Sequence, residues 1–137
     1  MASRRKKGLY PQRIVYLDLF SGNGLNKVNT ERCYYICGSG ILVLLASYVL
    51  YEKRRYTCYF DHMLLVDNDK KNNVILLDRC KSMLKCLGIE SILSVDNDLA
   101  ANTNIMTIHG DATKLRFMDK ITEWLDKIWS KHTIHIM

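Results

Sequence analysis

Three aspartates follow three separate apolar segments, and they are the side chains best suited to hold a ligand. Asp18, Asp67 and Asp111 each stand at or just after the end of a short apolar run. A carboxylate accepts hydrogen bonds from paired hydroxyls or an amino group, and it attracts a cation. If the three runs are parallel strands, the acids face one crevice at the carboxyl edge of a sheet. Each acid also has a purely structural alternative, in a turn or as the cap of the next helix.

A glycine-containing turn follows the first of these acids. Residues 21–24 read Ser-Gly-Asn-Gly, and glycines allow a backbone to approach a ligand closely. A dinucleotide-binding loop would carry a third glycine where this chain has Lys27. S-adenosylmethionine (SAM) carries no phosphate, and Asp18 would attract its ammonium and sulfonium groups. Taken alone, the Gly-Asn-Gly turn is equally compatible with a structural role.

The spacing of apolar residues predicts the elements that must position these turns. Strands are expected at residues 14–19, 57–66, 105–109 and 132–137, and helices at 39–54, at about 75–87 and at 117–128. Ser39 is the predicted N-cap of the first helix, and Gly88 is the predicted stop of the second. Residues 26–32 and 89–104 are expected to be connections. This alternation predicts an α/β, Rossmann-like parallel sheet of strands 1 to 4 with helices on both faces and right-handed crossovers.

Length and charge predict one domain, residues 13–137, preceded by a basic flexible arm, residues 1–12. The net charge of +6 is concentrated at the start, because residues 1–13 hold five basic side chains and no acid. The remainder has 15 basic and 14 acidic residues and is nearly neutral. The arm could contact nucleic-acid phosphates, or it is only a solvated terminus.

The cysteine count and the hydropathy pattern bear on the cellular compartment, on metal binding and on membrane insertion. An odd count of five cysteines and a start without a secretory signal predict a reduced, cytoplasmic setting. Cys33 and Cys37 lack the further thiolates of an iron–sulfur or zinc site, so no metal is expected. Residues 33–51 carry no charge and approach the length of a membrane span, but Gly-Ser-Gly at 38–40 interrupts them, and we expect no membrane insertion.

The motifs resemble those of a known superfamily. Residues 16–24, Tyr-Leu-Asp-Leu-Phe-Ser-Gly-Asn-Gly, resemble the first motif of class I SAM-dependent methyltransferases in its D-L-F-x-G-x-G form. Over about residues 13–137 the chain is most similar to the three-Cys-motif partner protein family. The similarity includes Gly-Ser at 38–39, Leu-Val-Asp at 65–67 and Gly-Asp-Ala at 110–112. One departure is Gly40, where that family has proline.

The resemblance implies SAM as cofactor and a set of binding residues. By resemblance, Asp18, Gly22 and Gly24 line the methionine part, Asp67 binds the ribose and Asp111 the adenine. The same cofactor-binding set includes four neighbours of these residues: Phe20, Ser21, Asn68 and Ala112. Family members continue beyond strand four into an Asp-Pro motif and further strands. We therefore expect a C-terminally truncated domain without the residues that orient the methyl acceptor, and no catalytic residue can be assigned.

Two functional hypotheses follow from these observations. The first is a methyltransferase-like SAM-binding domain that is catalytically incomplete unless a partner supplies the missing strands. The alternative is a non-catalytic interaction module that binds protein or nucleic acid through the exposed edge of strand four and the basic arm, with homo-oligomers expected. A third hypothesis is a small membrane-anchored protein that uses residues 33–51 as its anchor, and a chain that is soluble without detergent in fractionation would exclude it.

Overall fold

A computed structural model describes residues 12–29, 33–54, 60–129 and 133–136, in which strands and helices alternate along the chain. The strands are β1 (Gln12–Asp18), β2 (Leu25–Asn29), β3 (Cys33–Cys37), β4 (His62–Asp67), β5 (Val95–Asp96), β6 (Ile105–His109) and β7 (Thr133–Ile136). The helices are α1 (Ser39–Arg54), α2 (Lys70–Leu87) and α3 (Leu115–Trp129). The predicted α/β class is confirmed. Apart from Gln12, the predicted basic arm lies outside the described residues.

The main sheet is parallel, with strand order β5-β6-β4-β1-β7. β1 lies between β4 and β7, with Tyr16 opposite Met63 and Val15 opposite Ile136. The chain passes outward from β1 through β4 to β6, and then returns to the other side of β1. Such a reversal of strand order is the usual place for ligand binding in open α/β sheets. The expected Rossmann-like arrangement is therefore present in this part of the chain.

The sheet separates two apolar cores, because successive strand residues point to opposite faces. In β1, Ile14 faces one core and Val15 the other; in β4, Leu65 and Leu64 divide in the same way. The first core includes side chains of α1 and α2, and the second includes side chains of α3. Helices thus cover both faces, as the apolar runs of the strands predicted.

Helix α2 is delimited by local chemistry at both ends. Asp69 is its N-cap, and its carboxylate accepts a hydrogen bond from the Lys71 N–H at 2.9 Å. Gly88 ends the helix in the left-handed conformation, with φ of 71°, and its N–H reaches the carbonyls of Leu84 and Lys85. Gly88 was correctly predicted as the stop, because this cap conformation favours glycine. The helix begins earlier than its apolar stripe indicated.

Two predicted connections contain strands. Of the first connection, residues 26–29 lie in β2, which pairs antiparallel with β3, with Leu25 opposite Cys37 and Lys27 opposite Tyr35; residues 30–32 lie outside the described part of the chain. This hairpin forms a two-stranded sheet of its own, and its sequence shows no clear apolar alternation. The stretch 89–104 likewise contains β5, which has only two residues and adds an edge to the sheet. The predicted strand 57–66 begins at His62 in the structure, and residues 55–59 lie outside the described part of the chain.

Among the helices that the structure describes, none has the length and apolar character needed to cross a membrane.

We predict that Cys80 makes the folded chain less stable in alkali. Burial raises the pKa of the Cys80 thiol from its ordinary 9.0 to about 12. Above pH 9 the unfolded chain loses this proton and the folded chain retains it, so the stability contribution present below pH 9 is lost as pH rises toward 12. At about pH 10.5 the loss is about 2 kcal/mol. Urea unfolding between pH 8 and 10.5 should show a steeper loss for the wild type than for Cys80→Ala; parallel pH profiles would contradict the prediction.

Candidate functional site

The carboxyl ends of β1, β4 and β6 meet at one edge of the sheet, as the sequence predicted. Asp18 is opposite Leu65 in the β1–β4 pair, and Asp67 is opposite His109 in the β4–β6 pair. The N–H of Gly110 donates to the Asp67 carbonyl at 3.0 Å, which brings the turn containing Asp111 to the end of β4. The fold therefore brings the three acidic turns to a common edge.

The two glycines of the turn after β1 have different surroundings. Both have positive φ, 64° at Gly22 and 93° at Gly24, which favours glycine at each position. A Cβ at Gly24 would lie 3.0 Å from Cδ1 of Leu76, so this residue is needed for packing against α2. A Cβ at Gly22 would meet nothing within 4 Å. Of the two, Gly22 has the open space that a ligand requires.

Asp67 connects the glycine turn to the start of α2. Its Oδ1 accepts the Gly22 N–H at 3.1 Å. Its Oδ2 accepts the Asp69 N–H at 3.0 Å and the side-chain amide of Asn72 at 3.1 Å. A carboxylate has about four acceptor positions, so these three bonds leave one on Oδ1. The N-cap of α2 is Asp69 and not Asp67. A ligand with two adjacent hydroxyls would have to displace the Asn72 amide in order to bind both carboxylate oxygens of Asp67.

Asp18 connects the turn to the start of α1. Its Oδ1 accepts the Phe20 N–H at 3.0 Å, and its Oδ2 accepts the Ser39 hydroxyl at 2.5 Å. The Ser21 hydroxyl donates to the Asp18 carbonyl at 3.1 Å. Ser39 was expected to be the N-cap, but it is the first residue of α1; Gly38 precedes the helix, and its carbonyl accepts the Leu42 N–H. The Ser39 hydroxyl is directed to Asp18 instead.

Asp111 shapes the turn before α3. Its Oδ1 accepts the N–H of Thr113 at 2.9 Å and the Thr113 hydroxyl at 2.6 Å. These two bonds hold the pKa of Asp111 below its ordinary value, so the group is a carboxylate at neutral pH. This is the turn role that the sequence left as the alternative, and it does not prevent the second oxygen from serving as an acceptor.

Apolar side chains accompany the acids at this edge. Phe20 is 75% exposed after β1, and Leu115 is 77% exposed where α3 begins after β6. Of the remaining predicted residues, Asn68 places its carbonyl 3.1 Å from Nε2 of His109, and Ala112 is half-buried.

Three residues contact the predicted site residues or the glycine turn in ways that the sequence did not predict. Asn72 binds Asp67, Ser39 binds Asp18, and Arg79 of α2 donates to the carbonyl of Asn23 in the glycine turn at 2.6 Å. An asparagine or arginine in an amphipathic helix is normally a solvated side chain, and Arg79 is 56 residues from its partner Asn23. A sequence signal was therefore available only for Ser39, through its place at a helix start.

Within the part of the chain that the structure describes, no three His, Cys, Asp or Glu side chains are grouped so that they could hold a metal ion. Comparison of the chain with family models, with curated proteins and with solved structures gives no match in any of the three. The resemblance to methyltransferases and to the three-Cys-motif partner proteins thus stays a prediction.

We predict that the Thr113 hydroxyl is the main cause of the low pKa of Asp111. In Thr113→Val the backbone N–H remains but the hydroxyl donor is lost, so the pKa of Asp111 should rise toward its ordinary value in a carboxyl NMR titration. A carboxyl group whose pKa is lower in the folded state stabilises the fold at pH values above its pKa in the unfolded chain, and this stabilisation is lost as pH falls through its pKa in the folded chain. Thr113→Val should therefore lose less stability on acidification than the wild type. Thr122→Val is the matched control, since the Thr122 hydroxyl donates to the Met118 carbonyl at 3.0 Å. An unchanged pKa in Thr113→Val would refute the assignment.

Proposed function

We propose that this chain is a SAM-binding domain of the methyltransferase type, with Asp67 as the acceptor for the ribose hydroxyls. The observation that carries the proposal is the hydrogen bond between the Asp67 carboxylate and the Gly22 N–H. This hydrogen bond joins the acid at the end of β4 to the glycine turn that follows β1. The space beside the Cα of Gly22 is open, since a Cβ there would meet nothing within 4 Å. One acceptor position on Asp67 faces no donor among the bonds described above and is available to a hydroxyl.

The charges at this edge favour a cationic ligand over a phosphate. A helix start is normally a binding place for phosphate, but the start of α1 already faces the Asp18 carboxylate through Ser39. A pyrophosphate there would be repelled by Asp18, whereas an ammonium or sulfonium would be attracted. Asp111 adds a second carboxylate that can accept from an amino group. These features support SAM over a dinucleotide.

SAM brings the reactive methyl group itself, so the protein would contribute binding and orientation. In the proposed arrangement Asp67 holds the ribose, Asp18 lies on the side of the methionine part, and Asp111 accepts from the adenine. Phe20 and Leu115 would provide apolar contacts at the exposed edge. No residue is assigned as general base.

A second candidate function, strand-mediated association, is favoured by the position of β7. Among the described strands β7 is the last in the sheet order, beside β1. An edge strand can pair with a strand from another chain. Under this alternative the fold is a protein-interaction module and binds no SAM.

We predict that the purified chain binds SAM and that Asp67→Asn weakens binding about tenfold or more, because one acceptor oxygen is replaced by a donor. Isothermal titration calorimetry measures both. Asp126→Asn is the matched control, because Asp126 is an exposed acid near the end of α3. The SAM affinity of this variant should equal that of the wild type. Titration with NAD tests the dinucleotide alternative.

Two results would overturn this proposal. Binding of NAD without SAM would make the chain a dinucleotide-binding domain. Failure of the folded wild-type chain to bind either ligand, together with concentration-dependent oligomers in sedimentation, would favour the interaction module.

The occupancy of Asp67 leads to a separate prediction for Asn72. If both ribose hydroxyls bind Asp67, Asn72→Ala should strengthen SAM binding several-fold, because the ligand no longer competes with the amide for Oδ2. Lys70→Ala, an exposed change at the start of α2, is the control. Weaker binding in Asn72→Ala would show that Asn72 orients the carboxylate rather than competing for it.

A further inference from the structure

The glycine turn needs external contacts to keep one conformation. Residues 21–24 contain two glycines, which lose more conformational freedom on ordering than other residues. Backbone bonds hold the two ends of the turn: the Ser21 N–H donates to the Val66 carbonyl, and the Gly24 carbonyl accepts from the Gly38 N–H, each at 2.8 Å. The centre of the turn, Asn23, is held differently.

Asn23 is held by a cation from α2. Nη1 of Arg79 donates to the Asn23 carbonyl at 2.6 Å and to the Asn23 side-chain oxygen at 2.9 Å. The same side-chain oxygen accepts the Leu25 N–H at 3.1 Å. Hydrogen bonds from a charged donor are stronger than neutral ones, and these are part-buried. One guanidinium thus fixes both the backbone and the side chain at the middle of the turn.

The stem of Arg79 also packs on the turn. A Cβ at Gly24 would lie 3.4 Å from Cδ of Arg79, so the methylene groups lie against this glycine. Helix α2 therefore contacts the site twice, through Asn72 at Asp67 and through Arg79 at Asn23. One helix thus contacts both the acid and the centre of the turn.

We propose that Arg79 is a positioning residue: it fixes residues 21–24 in the conformation in which the Gly22 N–H meets Asp67, and thereby sets the ligand affinity of the site without contacting the ligand. The effect on the turn stands on the geometry alone. The effect on affinity rests on the proposed SAM-binding function.

The first test measures the turn without ligand. Arg79→Met keeps an apolar stem on Gly24 and removes both donors. Hydrogen exchange at the amides of residues 22–25 should become about tenfold faster, with exchange in β4 and β6 unchanged. Arg79→Lys, which keeps a charged donor, should restore part of the protection, and Asn23→Ala should reproduce the effect from the other partner. Lys81→Met is the matched control, since Lys81 is an exposed cation on the same helix.

The second test measures SAM binding by calorimetry on the same variants. Arg79→Met should bind about tenfold more weakly than the wild type and Lys81→Met equally well. Unchanged exchange in Arg79→Met would overturn the positioning role, as would faster exchange throughout the chain with a lowered Tm, which would mark Arg79 as a general stabiliser. Faster exchange confined to the turn with unaltered SAM affinity would overturn the effect on binding. A wild-type chain that binds no SAM would refute the proposed function, while the exchange data would still decide whether Arg79 holds the turn.

Discussion

Leu64, Leu65 and Val66 in the middle of β4 are completely shielded from solvent, and they alternate between the two apolar cores. A strand buried on both faces must satisfy its backbone groups through neighbouring strands, which here are β1 and β6. The burial of β4 ends at its last residue, where a charged side chain can reach the surface. Asp67 is the residue at that point, and the glycine turn, α2 and the turn after β6 are all arranged around it.

Three carboxylates at one sheet edge would repel each other if they were bare. Each of them instead accepts N–H or hydroxyl donors: Asp67 from Gly22, Asp18 from Phe20 and Ser39, and Asp111 from Thr113. These hydrogen bonds hold each carboxylate in place, and at Asp111 those from Thr113 lower the pKa of the group. The acids therefore stabilise the turns without a ligand, and a ligand would bind to carboxylates whose positions the fold has already fixed.

Two glycines close to helix starts, Gly40 and Gly110, are explained by packing. A Cβ at Gly40, the position where the resembling family has proline, would lie 3.0 Å from a methyl group of Leu65. A Cβ at Gly110 would lie 2.0 Å from the ring of Phe117. Small residues at these two positions allow α1 and α3 to approach the sheet, whatever the ligand. Only Gly110 belongs to a segment that resembles the family, so for that glycine packing against Phe117 is an explanation that requires no cofactor.

The sequence by itself determined the α/β alternation, the stop of α2 at Gly88 and the position of three acids after three strands, because apolar periodicity and turn chemistry are local properties of the chain. The tertiary structure decided the β2–β3 hairpin, whose pairing has no strong pattern, and the partner of each polar group. Asp67 meets Gly22 across 45 residues, and Arg79 meets Asn23 across 56. Such contacts form only when helices dock on the sheet, since their geometry depends on packing that no local stretch of sequence encodes.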